Sequence, residues 1–170
     1  MSWLGALFIL CGSTWTGFYF AKKLTDRPRQ LRQLKVALQT FEAEMMYGMS
    51  PLREISEKIS RQLPIPVAYI FQCFSRRLKQ GEKNAEEAWE YSLNETWPAT
   101  AMHEQEKEIM RQFGATLGQH EKHQQQKHIR LAIIHLEKEE KEAIETQRKY
   151  EKMTKTLGFL AGLLLIILLI

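Results

Sequence analysis

Hydrophobic and polar positions divide the chain into three parts. Residues 3–21 and 157–170 are apolar, and all 24 lysines and arginines and all 20 aspartates and glutamates lie between them. Across 22–156, apolar residues recur at steps of three and four, a period that predicts amphipathic α-helices. No segment shows sustained strand alternation with hairpin turns. The pattern therefore predicts an all-α domain between two apolar ends.

The helical pattern of the first half breaks at proline and glycine. A first helix is predicted to begin near Pro28, because proline suits a first turn, and to end at Gly48. Pro51 begins a second helix, which the LPIP stretch at 63–66 separates from a third. Three short helices are therefore expected before residue 80.

The second half predicts three more helices. Asn84, with a glutamate three residues on, is typical of the N-cap of a fourth helix. A fifth is expected over 102–117, and a long sixth continues into the C-terminal apolar run. Its apolar residues recur every seven positions, at Ile129, Leu136, Ala143, Tyr150 and Leu157. The charged stretch 137–142 is interpreted as a solvated face, with a stalk or a partner-binding surface as the alternative.

The two apolar ends are predicted to be membrane spans. Residues 3–21 have about the length that a transmembrane helix needs, and the positive charges follow this run, unlike those of a cleaved signal peptide. Residues 157–170 span only about 21 Å, so membrane thinning, a preceding amphipathic helix or pairing with the first span would have to assist. Small residues spaced by four predict close packing of the spans at Ser13, Gly17, Gly158 and Gly162.

Basic residues flank both predicted spans on their inner sides. They are Lys22, Lys23, Arg27 and Arg29 after the first span and Lys149, Lys152 and Lys155 before the second. Because positive residues favour the cytoplasmic side, 22–156 is predicted to be cytoplasmic. The expected organisation is an anchor at 3–21, a helical bundle at 22–156 and an anchor at 157–170.

Four of the five histidines lie within 120–135 and suggest a metal site. His120 and His123 have a spacing that zinc ligands use on helices. His128 and His135 lie about two and four turns further along, too far to reach the same ion. The HEKH sequence also differs from the HExxH zinc motif. The sequence therefore predicts no metal site.

Other chemistry finds little support in the sequence. The chain has no phosphate-binding glycine loop, nucleophile elbow or CxxC motif, and Cys11 and Cys73 imply no disulfide framework. The basic stretch 22–35 adjoins a predicted span, where anionic lipid headgroups explain it more simply than nucleic acid does. No catalytic residues, no cofactor and no nucleic-acid partner are predicted. A membrane-tethered helical protein that binds metal or nucleic acid is the alternative.

Four stretches of the sequence resemble those of a known family. They are RPRQLRQL, FEAEMMYGMSPL, LGQ followed by QQKHIRL, and HLEKEEKEA running to KYEKMTKTLGFLAGLLLIILL. Together they resemble stage III sporulation protein AB over nearly the whole chain. That family is similar to the cytoplasmic helical domain of the type II secretion platform protein F. The resemblance implies a compact bundle of about six helices.

The resemblance also implies a function. It implies a non-enzymatic platform in a complex that joins the mother cell to the forespore during endospore formation. The chain would lie in the mother-cell membrane around the forespore, with its central domain facing the mother-cell cytoplasm. Its partners would be a secretion-type ATPase and other membrane components. Secretion platform proteins usually have two such domains, so the single domain here predicts self-association.

Two sets of residues follow from the resemblance. Positions that match the family's motifs are Gly48, Pro51, Gln125, Lys127 and His128. The first two are expected to form a turn, and His128 is expected to pack or hydrogen-bond. His120 lies where the family tends to have serine. A basic first helix beside the acidic segment 82–108 predicts docking of the ATPase through charged surface, with candidates Arg29, Arg32, Glu42 and Glu44.

Overall fold

The computed structural model describes the backbone of residues 2–48, 50–81, 84–118 and 122–169, and the side chains of 21–48, 50–81, 84–118 and 123–154. This part of the chain forms six α-helices. They are α1 (Ser2–Ala43), α2 (Leu52–Gln62), α3 (Val67–Lys79), α4 (Ala85–Thr96), α5 (Glu104–Gly114) and α6 (Lys122–Leu169). No strand occurs in the described ranges, which confirms the all-α prediction there.

The six helices form a closed ring around one core. Each helix packs against the next along the chain, and α6 returns to pack against α1. These two helices run antiparallel, because Arg27 contacts Glu139 whereas the later residue Glu42 contacts the earlier Arg130. The start of α1 and the end of α6 therefore point to the same end of the bundle.

Aromatic side chains fill the centre of the ring. The Trp89 ring lies 5.5 Å from that of Phe71, 5.1 Å from that of Phe74 and 5.2 Å from that of Phe113, between centroids. The Trp89 Nε1–H group donates to the Met110 carbonyl oxygen at 2.7 Å, so its polar atom is satisfied although the residue is fully buried. These contacts join α3, α4 and α5.

Gly114 allows α5 to approach this tryptophan closely. A Cβ atom added to Gly114 would lie 2.0 Å from Trp89 Cδ1, far inside van der Waals contact. Any larger residue would have to move the indole ring out of the core. The glycine is therefore required by packing.

The predicted start of the first helix is wrong. Pro28 lies inside α1, which is continuous from Ser2. An internal proline removes one backbone hydrogen bond and costs roughly 3 kcal/mol. Burial of Pro28 and of its neighbour Arg27 against the bundle offsets this cost. Tertiary packing therefore overrides the local tendency of proline to start a helix.

Two other predicted boundaries also differ. The first helix ends its α-helical part at Ala43 and continues as a π-helix, Glu44–Gly48. The fifth is shorter than 102–117, because the loops on either side of α5 bury Met102 and Leu117 without being α-helical. Apolar periodicity thus marked the buried positions correctly but overestimated the length of the helix.

The N-cap of α4 follows the sequence. The Asn84 side chain accepts a hydrogen bond from the Glu86 amide at 3.0 Å, which confirms Asn84 as the N-cap of α4.

On α6, Ile129, Leu136 and Ala143 are buried as predicted. Tyr150, the next residue of that series, is 45% exposed. The heptad pattern therefore extends beyond the part of α6 that the bundle covers.

Among the described residues, no helix has both the length and the hydropathy needed to cross a membrane. The predicted spans at 3–21 and 157–170 lie outside the described side chains, apart from Ala21. The predicted packing residues lie there too: Ser13, Gly17, Gly158 and Gly162. Both spans stay predictions.

Candidate partner interface

Buried ion pairs join α1 to α5 and α6. Arg27 Nε donates to Glu106 Oε1 at 2.8 Å, and its Nη2 atom donates to Glu139 Oε2 at 3.2 Å. Glu106 is completely buried, and its second oxygen accepts the His103 amide at 2.7 Å. One guanidinium therefore holds two buried carboxylates from two helices.

A second ion-paired group lies next along α6. Arg32 Nε donates to Glu140 Oε1 at 2.9 Å, and Lys35 Nζ lies 2.7 Å from Glu140 Oε2. Burial raises the pKa of the Glu140 carboxyl, but hydrogen bonds and charge from Lys35 and Arg32 outweigh it, so the pKa lies below its ordinary value. Glu140 is therefore held in its ionised form.

A third group lies at the far end of the α1–α6 contact. Glu42 Oε1 accepts from Arg130 Nε at 2.7 Å and from Gln126 Nε2 at 2.8 Å. Burial again opposes ionisation, but these hydrogen bonds and the Arg130 charge lower the pKa of Glu42 below its ordinary value. We call the three groups together the α1–α6 seam: Arg27, Arg32, Lys35, Glu42, Glu106, Gln126, Arg130, Glu139 and Glu140.

The four predicted interface residues do not form one free surface. Arg32 and Glu42 belong to the seam, and Glu44 pairs with Lys58 of α2. Among the described residues, Arg29 pairs only with Asp26 on its own helix, at 2.9 Å. The side chains of Arg29 and Arg32 are 66% and 65% exposed, whereas those of Glu42 and Glu44 are 17% and 22% exposed. Only the two arginines are therefore readily accessible to a partner.

The interpretation of 137–142 as a solvated face is wrong at two positions. Glu139 and Glu140 are buried and accept hydrogen bonds from α1, while the other four residues of the stretch are exposed. Sequence reasoning missed this because a run of charges resembles an exposed helix. The available signal was spacing: Leu136, Glu139, Glu140 and Ala143 lie at steps of three, one and three, on one helix face.

The family-motif residues take different positions. Gln125 is buried, and its Nε2 atom donates to the Thr116 carbonyl at 3.0 Å, which ties the start of α6 to the loop after α5. Lys127 and His128 are exposed, so the packing role expected of His128 is absent. Gly48 ends the π-helix and Pro51 directly precedes α2. Both therefore lie in the connection where a turn was expected.

The described histidines do not converge. His123, His128 and His135 are exposed on α6, and His120 lies outside the described residues. Over the described residues, no group of three or more histidine, cysteine, aspartate or glutamate side chains could hold a metal ion. The buried Cys73 is a free thiol, and the side chain of Cys11 is not described. The absence of a metal from this protein stays a prediction.

Sequence reasoning also missed a groove between α4 and α5. It occupies about 290 Å³ and is lined by Glu86, Trp89, Glu90, Arg111, Gln112 and Ala115. Arg111 is ion-paired to Glu108 on its own helix. Glutamates thus form the α4 side of a groove beneath which the core tryptophan lies fully buried.

The described part of the chain is a closed ring of six helices with charged outer faces. A family model for stage III sporulation protein AB matches residues 2–170. The chain therefore belongs to the stage III sporulation protein AB family, which assigns it a role in sporulation.

Two relatives agree with this assignment. The stage III sporulation protein AB of Bacillus subtilis strain 168 is 53% identical over 166 residues, which cover 98% of this chain and 97% of that protein. A solved structure of a stage III sporulation protein AB matches with a TM-score of 0.71 and 47% identity. It covers 73% of this chain and 98% of its own.

Proposed function

We propose that this chain is a non-enzymatic membrane platform of the complex that joins mother cell and forespore, and that it docks a cytoplasmic secretion-type ATPase. The observation that carries the proposal is the antiparallel α1–α6 pair. Because these helices run in opposite directions, the two apolar runs extend from the same end of the bundle. Both runs can therefore enter one membrane while the rest of the bundle stays on one side.

Charge near this end supports the same orientation. Lys22, Lys23 and Arg29 are exposed on α1, and Lys149 and Lys152 are exposed on α6. Basic residues next to a span favour the cytoplasmic side and attract anionic headgroups. The domain at 22–156 would then face the mother-cell cytoplasm, where an ATPase is accessible.

Docking through charged surface is supported by the exposed arginines of α1. Arg29 and Arg32 lie close to the predicted membrane side of the bundle and keep about two thirds of their side-chain surface accessible. Complementary charges steer encounters and fix the orientation of a complex more than they raise its affinity. Other membrane components and a second copy of this chain are the further proposed partners.

Cysteine labelling in non-sporulating cells that produce the chain tests the topology, because the chain then lies in the plasma membrane that the added reagent meets. Glu86→Cys is introduced into α4 of a chain in which Cys11 and Cys73 are replaced, and a membrane-impermeant maleimide is added outside. We expect protection in intact cells and labelling after permeabilisation. Labelling in intact cells would contradict the cytoplasmic position of the bundle.

Co-purification from sporulating cells tests the partner. The full-length tagged chain should retain the secretion-type ATPase at low salt and lose it as salt rises, because exposed charges are screened beyond about 8 Å at physiological salt. Absence of the ATPase at every salt concentration would leave the chain a membrane component of another kind. Retention of DNA, RNA or one equivalent of zinc would favour the metal-binding or nucleic-acid-binding alternative.

A further inference from the structure

The outer face of α6 carries exposed apolar side chains within basic surroundings. Leu131 and Ile134 are 42% and 60% exposed. They line a shallow hollow of about 280 Å³, which we call the α6 patch: His123, Gln126, Lys127, Arg130, Leu131 and Ile134. Arg130 is held by Glu42, whereas Lys127 has no ion pair with any described residue. The patch therefore offers two apolar side chains and one available positive charge.

The groove between α4 and α5 carries charge of the opposite sign to that of the α6 patch. We call it the α4–α5 groove, with the six lining residues given above. Trp89 lies fully buried beneath it, Ala115 is exposed in it, and the side chains of Glu86 and Glu90 have no ion pair with any described residue. Two apolar side chains beside a positive charge therefore match an exposed alanine beside two negative charges, and the complementarity is mainly one of charge.

The α6 patch and the α4–α5 groove lie at the same level along the long axis of the bundle. Gln125 of α6 bonds to Thr116, and Glu139 of α6 shares Arg27 with Glu106. Between these two levels, residues 127–134 of α6 lie alongside the C-terminal half of α5. Trp89 of α4 bonds to Met110 of the same half, so the groove lies at this level too.

We propose that the α6 patch of one chain docks into the α4–α5 groove of a second copy. Copies anchored in one membrane have the same orientation relative to it, so two surfaces can meet only if they lie at the same distance from the membrane. This step rests on the membrane anchoring proposed above. Two such copies can bring these surfaces together by moving side by side, without tilting. Lys127 of one copy then faces Glu86 and Glu90 of the next.

The contact joins two different surfaces and is therefore heterologous. Each chain keeps one free patch or groove after pairing, so further copies can add, in a ring if the rotation between copies closes and in an open row if it does not. An isologous dimer would instead set patch against patch, with Lys127 facing Lys127. Like charges in contact oppose that arrangement.

Cysteine cross-linking in the full-length chain tests the contact. Leu131→Cys and Gln112→Cys are placed in separate, differently tagged chains whose Cys11 and Cys73 are replaced, and both are expressed together. A short bis-maleimide should join the two tags in the membrane fraction. Leu131→Cys paired with Glu54→Cys, which lies on the exposed face of α2, is the matched control and should give no product.

Two outcomes would overturn the proposal. One is a product formed by Leu131→Cys chains alone, which would mean patch-to-patch contact. The other is a membrane fraction that contains both chains and yields no mixed product. A chain missing from the membrane fraction would contradict the proposed anchoring instead, so the two failures are distinguishable.

Charge reversal gives a second, independent test. Lys127→Glu and Glu90→Lys should each lower co-purification of two tagged copies by about tenfold, because like charges would then meet. Mixing Lys127→Glu chains with Glu90→Lys chains should restore it, since a heterologous contact then pairs opposite charges again. The control reversals Arg53→Glu and Glu54→Lys on α2 should change nothing. Failure of the mixture to recover, with both variants folded by circular dichroism, would overturn the assignment of these surfaces.

Discussion

The centre of the bundle is fully buried and the α1–α6 seam is partly buried, and opposite kinds of contact hold them together. Around Trp89, aromatic rings meet at centroid distances of 5.1–5.5 Å and the one polar atom has its acceptor. At the seam, Arg27 contacts two glutamates and Glu140 contacts two cations. The first region excludes water with apolar surface, and the second pairs buried carboxylates with cations, of which Arg32 and Arg130 still reach the solvent.

This difference separates stability from orientation. Apolar burial stabilises by about 25 cal/mol per Å² and tolerates several arrangements of the same side chains. Buried ion pairs contribute little net stability, because desolvation offsets much of their attraction, but each partner fits only one register. We therefore attribute to the seam the fixed register of α1 against α6. Those are the helices that continue into the two predicted spans.

The largest expected effect concerns the aromatic centre. Trp89→Ala should lower the free energy of unfolding by about 3–5 kcal/mol, because it removes the ring that joins α3, α4 and α5. Urea denaturation of the full-length chain in detergent measures the change. Trp89→Phe, which retains most of the apolar contact, is the control and should lose less. Equal losses for both variants would show that the hydrogen bond to Met110 outweighs the packing.

The next effect separates the seam from the centre. Arg27→Met should cost about 3 kcal/mol, because it leaves Glu106 and Glu139 buried without their cation. The triple variant Arg27→Met, Glu106→Leu, Glu139→Leu should recover most of that loss in the same urea experiment. About 1 kcal/mol should remain, since the His103 amide loses its acceptor.

Register is the second measurement on this pair of variants. If the seam specifies the alignment of α1 and α6, a variant that disrupts all three ion-paired groups should be folded but misaligned. Glu42→Leu is therefore added to the triple variant, and the cysteines themselves remove the ion pair of Lys35 with Glu140. A short bis-maleimide should join Lys35→Cys to Glu140→Cys in the parent chain, because these side chains face each other, and should join Lys35→Cys to Ile144→Cys, one turn further along α6, in the variant alone. An unchanged cross-linking pattern in the variant would contradict the role that we assign to the seam.

The apolar pattern predicted most of the fold but did not predict the seam. Ile55, Ile59, Phe71 and Phe74 repeat at helical spacing, so their burial follows from the sequence alone. Glu139 and Glu140 carry the same charges as their exposed neighbours in EKEEKE. Only the approach of Arg27, Arg32 and Lys35, more than 100 residues away in sequence, makes their burial favourable. Such pairing is not encoded in any local pattern.

The candidate interface was predictable only in part. The residue types on α1 were correctly identified as charged, but the sequence of α1 alone does not show which of its charges meets a charge on another helix. Glu42 and Arg29 illustrate this, since one is paired across to α6 and the other remains two-thirds exposed. The α6 patch lies on a single helix, whereas the α4–α5 groove depends on the packing of two helices, which is a tertiary property.

Acid should weaken the seam before it affects the aromatic centre. Glu140 and Glu42 have pKa values below their ordinary range, so their ionised forms stabilise the fold at neutral pH. This stabilisation is fully present above the pKa of an unfolded glutamate, about 4.3, and is lost as the pH falls through the lower folded value. Urea midpoints should therefore fall between about pH 5 and pH 3. Glu140→Gln should flatten that decline, and Glu57→Gln, at an exposed site on α2, should leave it unchanged.

The smallest expected effect on stability comes from Arg29, the most exposed of the four predicted interface residues. Arg29→Glu should change the free energy of unfolding by no more than about 0.5 kcal/mol, because its side chain is 66% exposed and its one ion pair within the described ranges is with Asp26 on the same helix. Glu42→Lys should cost more, since it places a cation against Arg130 in the seam.

Arg29 therefore tests ATPase docking without disturbing the bundle, and Arg53→Glu on α2 is its matched control. We expect Arg29→Glu to weaken co-purification of the ATPase and to remove most of its salt dependence, while Arg53→Glu retains both. Undiminished, salt-sensitive binding by Arg29→Glu would exclude this residue from the contact and direct the search to other charged faces of the ring.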